Sequence, residues 1–468
     1  MPSTRALLAS LSALALSACA VGPDFVAPVP PQTTSGPLLS AADPAFSAEQ
    51  AAEDWWKLYD DPVLDGLVAD ALASNTDIRV ALANIEKARA GLRGSRAGRL
   101  PQGTIGAGAT YGRLPESQRA AGADRENWTI DGGLEVGYEL DLFGRVGRDI
   151  EAARGDLQAA QADADTVRVI VVADTTRAYA DAASGGARLA VARRIVGLLD
   201  RSLELTRRRY EAGLATGLDV AQISALRDQR AAEIPLIEAE RQASLFRLAT
   251  LTGRPPAELP EIASTRAVSL EINRPIPVGD GAALLARRPD IRAAENRLAS
   301  ATARIGVATA DLYPRITLGG SIGSTGSDIG DIFSGGPLRW LLGPLLSWTF
   351  PNQEPIRARI AAAEADSHAR LAEFDGAVLG ALEETETALS GYAHSLERRR
   401  SLQSARDQAK RAADITDAQL REGTVDSLRV LDVQRTYAEA EAALADQDAQ
   451  VSRRQIDLFR ALGGGWSS

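Results

Sequence analysis

Between Trp128 and Leu142 apolar and polar residues alternate strictly. One parity carries Trp128, Ile130, Gly132, Leu134, Val136, Tyr138, Leu140 and Leu142, and the other carries Thr129, Asp131, Gly133, Glu135, Gly137, Glu139 and Asp141. A period of two predicts a strand with one oily and one polar face. Residues 104–112 alternate likewise through Ile105, Ala107, Ala109 and Tyr111, as do 315–323 through Ile316, Leu318 and Ile322. Residues 338–350 follow less cleanly, through Trp340, Leu342, Leu346 and Trp348. Two β-hairpins, 104–142 and 315–350, are therefore predicted. Alternating segments of about 9–11 residues with aromatic ends fit either a half-buried sheet in a soluble protein or a membrane β-barrel. Four strands cannot close a barrel, since the smallest have about eight. A spanning sheet would have to be shared between chains.

Elsewhere the period is helical. Leu64, Leu67, Val68, Ala71 and Leu72, then Ile78, Leu82 and Ile85, predict a helical pair over 63–99 broken near Asn75, and 282–312 is its counterpart. Gly144 to Ala212 and Glu354 to Glu422 are 69 residues each; at about 1.5 Å per residue each would reach roughly 100 Å if helical throughout. In the first, Ile150, Leu157, Ala164, Val171 and Ala178 recur by sevens, with Ala153, Ala160 and Val167 beside them. Such an alanine-rich heptad seam suits a thin wall of paired helices. Returning arms follow over 217–252 and 425–461, and Pro235 should bend the first.

These elements occur twice. Asn75-Thr-Asp-Ile-Arg-Val-Ala81 returns 213 positions on as Arg288-Pro-Asp-Ile-Arg-Ala-Ala294, and the turn at Tyr210-Glu-Ala-Gly213 returns 210 positions on as Leu420-Arg-Glu-Gly423. The predicted organisation is a first repeat over 53–252, a proline-rich surface connection over 253–281, a second repeat over 282–462 and a tail over 463–468. Residues 19–52 contain too many Pro, Ser and Thr for a core and read as an extended tether.

At the N-terminus Arg5 precedes thirteen uncharged Ala, Leu and Ser residues, 6–18, which suits an export signal and is too short to span a membrane as a helix. The run ends at Leu16-Ser17-Ala18-Cys19, which resembles the lipobox of bacterial lipoproteins. That resemblance implies a signal peptide of residues 1–18 and a covalent lipid on Cys19, with alanine rather than aspartate at position 20 favouring the outer membrane. Cys19 is the sole cysteine, so no disulfide can form within the chain. A net charge of −10, with no like-charge block longer than Arg398-Arg399-Arg400, weighs against nucleic acid. The two histidines, His368 and His394, build no metal cluster, and neither a phosphate loop nor a dinucleotide fingerprint occurs. Paired carboxylates such as Glu383 and Glu384 read as a solvated helix face. No catalytic constellation is predicted, and no cofactor besides the lipid.

With these residues in place the chain resembles the bacterial outer-membrane factors of tripartite efflux pumps, the TolC-like family and its NodT-type lipoprotein branch. The matching segments are Cys19-Ala-Val-Gly-Pro-Asp-Phe25, Trp55-Trp56 with Asp61-Pro62, Tyr138-Glu-Leu-Asp-Leu-Phe-Gly-Arg145, Arg287-Arg-Pro-Asp-Ile-Arg292 and Ala461-Leu-Gly-Gly-Gly-Trp466. The resemblance implies an α+β membrane protein in which three chains, each giving four strands, share an outer-membrane β-barrel continued by a long periplasmic α-helical barrel. It implies a passive exit duct for drugs and toxic compounds, working with a periplasmic adaptor and an inner-membrane pump of the resistance-nodulation-division class. Type I protein secretion, which the same architecture serves, is the alternative within this reading. A structural cell-envelope lipoprotein is the alternative outside it.

In the family the turns after the long helices meet adaptor hairpins, which makes Gly213, Leu214, Gly217, Asp219, Gly423 and Val425 the expected docking residues. Gly213 and Gly423 also suit helix C-termini that need a left-handed backbone. Leu428, Asp432 and Arg435 match by position the family's constricting residues, and their spacing lets all three share one helical face. Three copies would make an apolar ring over an anionic one, a narrow neck that favours cations.

Overall fold

The structure, a computed structural model, describes residues 20–29, 36–113, 115, 117, 124–330, 338–422 and 424–464. The expected signal peptide, Cys19, Gly423 and the last four residues of the tail lie outside the described residues, as does the side chain of Leu428.

The first half of the chain runs α1 (Pro62–Ser74), α2 (Thr76–Ala97), β2 (Gln102–Arg113), β3 (Glu126–Leu140), α3 (Arg145–Glu211), α4 (Gly217–Ala231) and α5 (Glu233–Leu251). The second half runs α6 (Gly281–Arg287), α7 (Pro289–Ala310), β5 (Arg315–Gly326), β6 (Leu338–Ser347), α8 (Glu354–Arg421) and α9 (Ser427–Ala461). Two short strands, β1 (Phe46–Ser47) and β4 (Ile276–Pro277), pair in parallel apart from these.

Local chemistry sets the boundaries. Asp61 caps α1, its carboxylate accepting from the Val63 and Leu64 amides at 3.0 and 3.4 Å, with Pro62 in the first turn. Asn75 ends α1 and starts α2. Its Oδ1 accepts from the Asp77 and Ile78 amides, while its Nδ2 donates to the Leu251 carbonyl at 2.9 Å. At the equivalent break in the second half Arg288 stands in place of the asparagine, and Pro289 opens α7. The returning arm of the first half breaks at Ala232 rather than bending at Pro235. The proline then falls in the first turn of α5, where its missing donor costs nothing, and the carbonyl its ring would crowd belongs to Ala231, the last residue of α4.

The chain divides into two compact units, the first comprising residues 1–28, 84–161 and 293–375 and the second 29–83, 162–292 and 376–468. The first unit holds a four-stranded antiparallel sheet of order β2-β3-β5-β6. In its register Ile105, Leu134, Ile322 and Trp340 form one apolar row across all four strands. On the opposite face the Thr325 hydroxyl donates to Asp131 at 2.6 Å, and Arg339 donates to both. Glycines let the strands approach, since a Cβ on Gly323 would lie 2.8 Å from the Gly132 carbonyl oxygen. The apolar face is bare, with Ile105 83% and Trp340 73% exposed.

The second unit holds the main core. Trp55, fully buried, stacks on Phe459 at 4.8 Å, with Leu64, Tyr179, Leu389 and Ile456 packed around. Three expectations need correction here. Residues 36–52 are not a free tether, because Leu38, Phe46 and Ala51 enter this core and the Leu39 and Ser40 amides donate to the Glu386 carboxylate. The 253–281 connection is not confined to the surface: Leu270, Ile272, Ile276 and Val278 share one parity and all are buried. Prolines 275 and 277 obscured an alternation that was present in the sequence. Glu384 is not merely solvated, since it accepts from Arg288 at 3.0 Å and Arg460 at 3.2 Å. Along α3 the heptad positions Ile150, Ala164, Val171 and Ala178 are buried as expected, but Leu157, Ala153, Ala160 and Val167 are only half-buried. No described helix is long and apolar enough to cross a membrane.

Candidate functional site

The first turn gathers Gly213, Leu214, Gly217 and Asp219 at one end of the α3–α4 pair. Gly213 has φ +74°, a left-handed backbone that glycine adopts without strain. Its amide donates to the Tyr210 carbonyl at 2.9 Å, and the Leu214 amide reaches back to Arg209 at 2.7 Å, closing the C-terminus of α3. Asp219 is committed to a capping box: its Oδ2 accepts from the Thr216 amide at 2.7 Å, and its own amide donates to the Thr216 hydroxyl at 3.2 Å. Leu214 and Leu218 are left 69% and 61% exposed. The turn is therefore a rigid knuckle presenting two leucines, with Asp219 shaping it from within.

The second turn is closed by different side chains. The Thr424 amide donates to the Gln419 carbonyl at 2.9 Å, and Asp426 caps α9 by accepting from the Arg429 amide at 2.8 Å. Val425 is half-buried beside them. Asp432 and Arg435 lie 3.4 Å apart on the same face of α9, each more than half exposed, and Arg435 also reaches toward Glu439 at 3.9 Å. Exposed pairs at this spacing contribute about 0.2–0.5 kcal/mol, so within one chain this pair is a weak restraint.

Sequence reasoning missed what holds the two turns together. Helices α3 and α9 run antiparallel, joined by Arg177 with Asp457, Asp181 with Arg453, Arg188 with Asp446 and Arg194 with Glu441. The residue numbers of each pair sum to nearly the same value, which is the mark of a fixed antiparallel register. Signs invert between Arg177/Asp181 and their partners Asp457/Arg453, a complementarity visible in the sequence once the two helices are set side by side. Toward the turns Gln434 Nε2 donates to the Ser202 hydroxyl at 2.8 Å and to the Asp417 carboxylate at 3.3 Å. Beside it lies a solvent-open groove of about 220 Å³ lined by Leu198, Ser202, Ile223, Asp417 and Val430. Tyr437 stands between this contact and the ion pairs, its phenol pushed up by burial and by the Glu441 charge. Nearer the turns Leu203, Ile223 and Val430 are buried, and Asp200 of α3 pairs with Arg227 of α4 at 2.8 Å. Among the described residues no His, Cys, Asp and Glu cluster could hold a metal ion.

Comparison with known proteins bears on the family and the fold. A sequence model described as outer membrane efflux protein matches residues 67–254 and again 282–464. Outer membrane protein OprJ of Pseudomonas aeruginosa is 32% identical over 461 residues, covering 98% of this chain and 95% of that one. The pyoverdine export outer membrane protein OpmQ of Pseudomonas putida is 31% identical, covering 97% and 96%. Among solved structures, the outer-membrane channel OprN superposes with a TM-score of 0.88 at 36% identity, covering 96% of this chain and all of that one. The open state of the Neisseria gonorrhoeae MtrE outer membrane channel does so with 0.82 at 25% identity, covering 96% and 99%. The backbone is shared from one end to nearly the other, and the family's pattern is met twice in one chain. This protein belongs to the outer membrane efflux protein family.

Proposed function

We propose that the protein is the outer-membrane exit duct of a tripartite efflux system, passively conducting small molecules that an inner-membrane pump of the resistance-nodulation-division class and a periplasmic adaptor deliver. The observation that carries this is the four-stranded sheet. Its apolar face is uncovered, Leu338, Trp340, Leu342 and Leu346 of β6 being at least 58% exposed. Its outer strands β2 and β6 each have one edge without a strand partner among the described residues. In water such a sheet is an aggregation site; in lipid it becomes stable only when the edges close on other copies. Three chains would supply enough strands for one barrel, with the apolar face toward lipid and the Asp131 face toward the lumen. The double match of the family model, and the same order of elements in both halves, support an internal two-fold repeat.

In this reading Cys19 carries the lipid, and the turns at Gly213, Leu214, Gly217 and Asp219 and at Gly423 and Val425 are the sites where the adaptor docks. Leu428, Asp432 and Arg435 form the periplasmic constriction, held shut by contacts between chains. The duct performs no chemistry; the pump supplies the energy. OpmQ and the toluene efflux pump outer membrane protein TtgF of Pseudomonas putida carry names for the export of small compounds, which favours that cargo class over protein. Expression in a strain lacking its own outer-membrane efflux component, with a compatible pump and adaptor, should restore resistance to toxic compounds, and the detergent-solubilised protein should weigh three chains by light scattering. A monomer that restores nothing would refute the proposal.

A further inference from the structure

On β6 both parities are apolar. Leu338, Trp340, Leu342 and Leu346 share the apolar face of the sheet, but the opposite parity carries two further leucines, Leu341 and Leu345. The register fixes their face. Leu341 lies opposite Ser321, which lies opposite Glu135, and Leu345 lies opposite Thr317, which lies opposite Glu139. Both leucines therefore stand on the Asp131 face, proposed above to line the lumen. Elsewhere on that face, among the described residues of the four strands, every residue is glycine or polar. A barrel interior is ordinarily polar, yet Leu341 is 62% and Leu345 56% exposed. Single exposed leucines are common; two on one strand of an otherwise polar face form an apolar strip that packing within the sheet does not require.

The ground beside the strip is low. Gly343 separates the two leucines, and Leu345 folds over Gly319, where an added Cβ would lie 2.7 Å from its Cδ1. Two strands away on the same face stands a column of carboxylates. Asp131 accepts from Thr325 at 2.6 Å and from Arg339 at 3.4 Å, and Glu139 accepts two bonds from Arg145 at 2.8 and 2.7 Å. Glu135 is exposed and has no such partner among the described residues. From the strand spacing and the rise per residue, Glu135 stands about 10 Å across from the strip, and the two leucines about 14 Å apart along it. We propose that Leu341, Leu345 and Glu135 form a transit subsite for amphiphilic cations, the leucines covering an apolar body and Glu135 facing its charge across a floor of Gly319 and Ser321. A lone carboxylate beside an apolar strip favours such a cation over an anion of the same shape, which Glu135 repels, and over a small hydrophilic cation, which gains nothing from the leucines. The subsite rests on the reading of this face as the lumen of a duct.

Equilibrium dialysis of radiolabelled tetraphenylphosphonium against the full-length protein in nanodiscs of zwitterionic lipid tests this, with uptake by empty nanodiscs subtracted. Uptake by the parent should saturate, excess tetramethylammonium should not compete, and labelled tetraphenylborate should show no saturable uptake. Leu341→Ser/Leu345→Ser should weaken the saturable binding roughly tenfold, and Glu135→Gln several-fold. Leu341→Ser alone, which leaves Leu345 over Gly319, should show a smaller loss and keeps the test valid if the double variant misfolds. No saturable uptake by the parent, or equal binding by all variants, would overturn the subsite. Loss of the three-chain species in Leu341→Ser with binding otherwise unchanged would assign the leucines to contacts between copies and also overturn it. Single-channel current separates the two readings: saturable binding by a protein that passes no current upholds the subsite and refutes the duct, whereas current without saturable binding refutes the subsite alone.

Discussion

The carboxylate of Asp61 lies where three distant parts of the chain meet. It caps α1, accepts the Tyr179 hydroxyl at 2.9 Å and accepts Arg266 at 2.8 Å, while only 5% exposed. Asp61→Ala removes a cap and leaves two donors without their acceptor, and should cost about 2–4 kcal/mol; Asp61→Asn, which keeps the cap, should cost less, both read by thermal unfolding in detergent. Burial first, and then Asp61, holds the Tyr179 phenol well above its ordinary range. A raised folded-state pKa means that stability is fully present below the unfolded tyrosine value, about 10, and is lost as pH rises beyond it. Tyr179→Phe should therefore flatten the decline in melting temperature between pH 9.5 and 11, as judged against the parent protein in about that range. The Asp61-Pro62 pair announces a helix start in the sequence. Its partners do not announce themselves, because 118 and 205 residues separate them from it and only the folded chain brings them near.

The pairing of α3 with α9 is an element-scale device. Asp181 with Arg453 is a partly exposed pair, so its net worth is modest, about 0.2–1 kcal/mol. Arg453→Asp should destabilise by about 1–2 kcal/mol by opposing like charges, and adding Asp181→Arg should recover most of that loss in a double-mutant cycle. In the sheet, Gly323→Val would drive its side chain into the Gly132 carbonyl and should abolish the folded, heat-modifiable species on gels, whereas Gly106→Val meets open space and should be tolerated. At this scale most of the fold was legible. Alternation marked the four strands, least cleanly β6, and periodicity marked the long helices to within a few residues. Residues 253–281 were misread because prolines mask the alternating Leu270, Ile272, Ile276 and Val278, and the 36–52 stretch because three apolar residues suffice when each reaches a shared core.

For the whole molecule, the long helices and the turns that join them bear on the proposed duct. The ion pairs from Arg177–Asp457 to Arg194–Glu441 hold α3 against α9, and nearer the turns Gln434 with Ser202 and Arg227 with Asp200 continue the contacts. The residues of the proposed constriction were named only by resemblance, since nothing in their spacing distinguishes a gate from an ordinary exposed pair. The intrahelical pair is too weak to hold a duct closed, so the proposed gate would need contacts between hairpins or between chains. The most direct measurement is the single-channel conductance of the mature protein in planar bilayers, compared with Asp432→Ala/Arg435→Ala. A small, cation-preferring current in the parent that grows several-fold in the variant is the predicted result. No current from either protein once inserted, or identical currents from both, would contradict a duct gated at these residues.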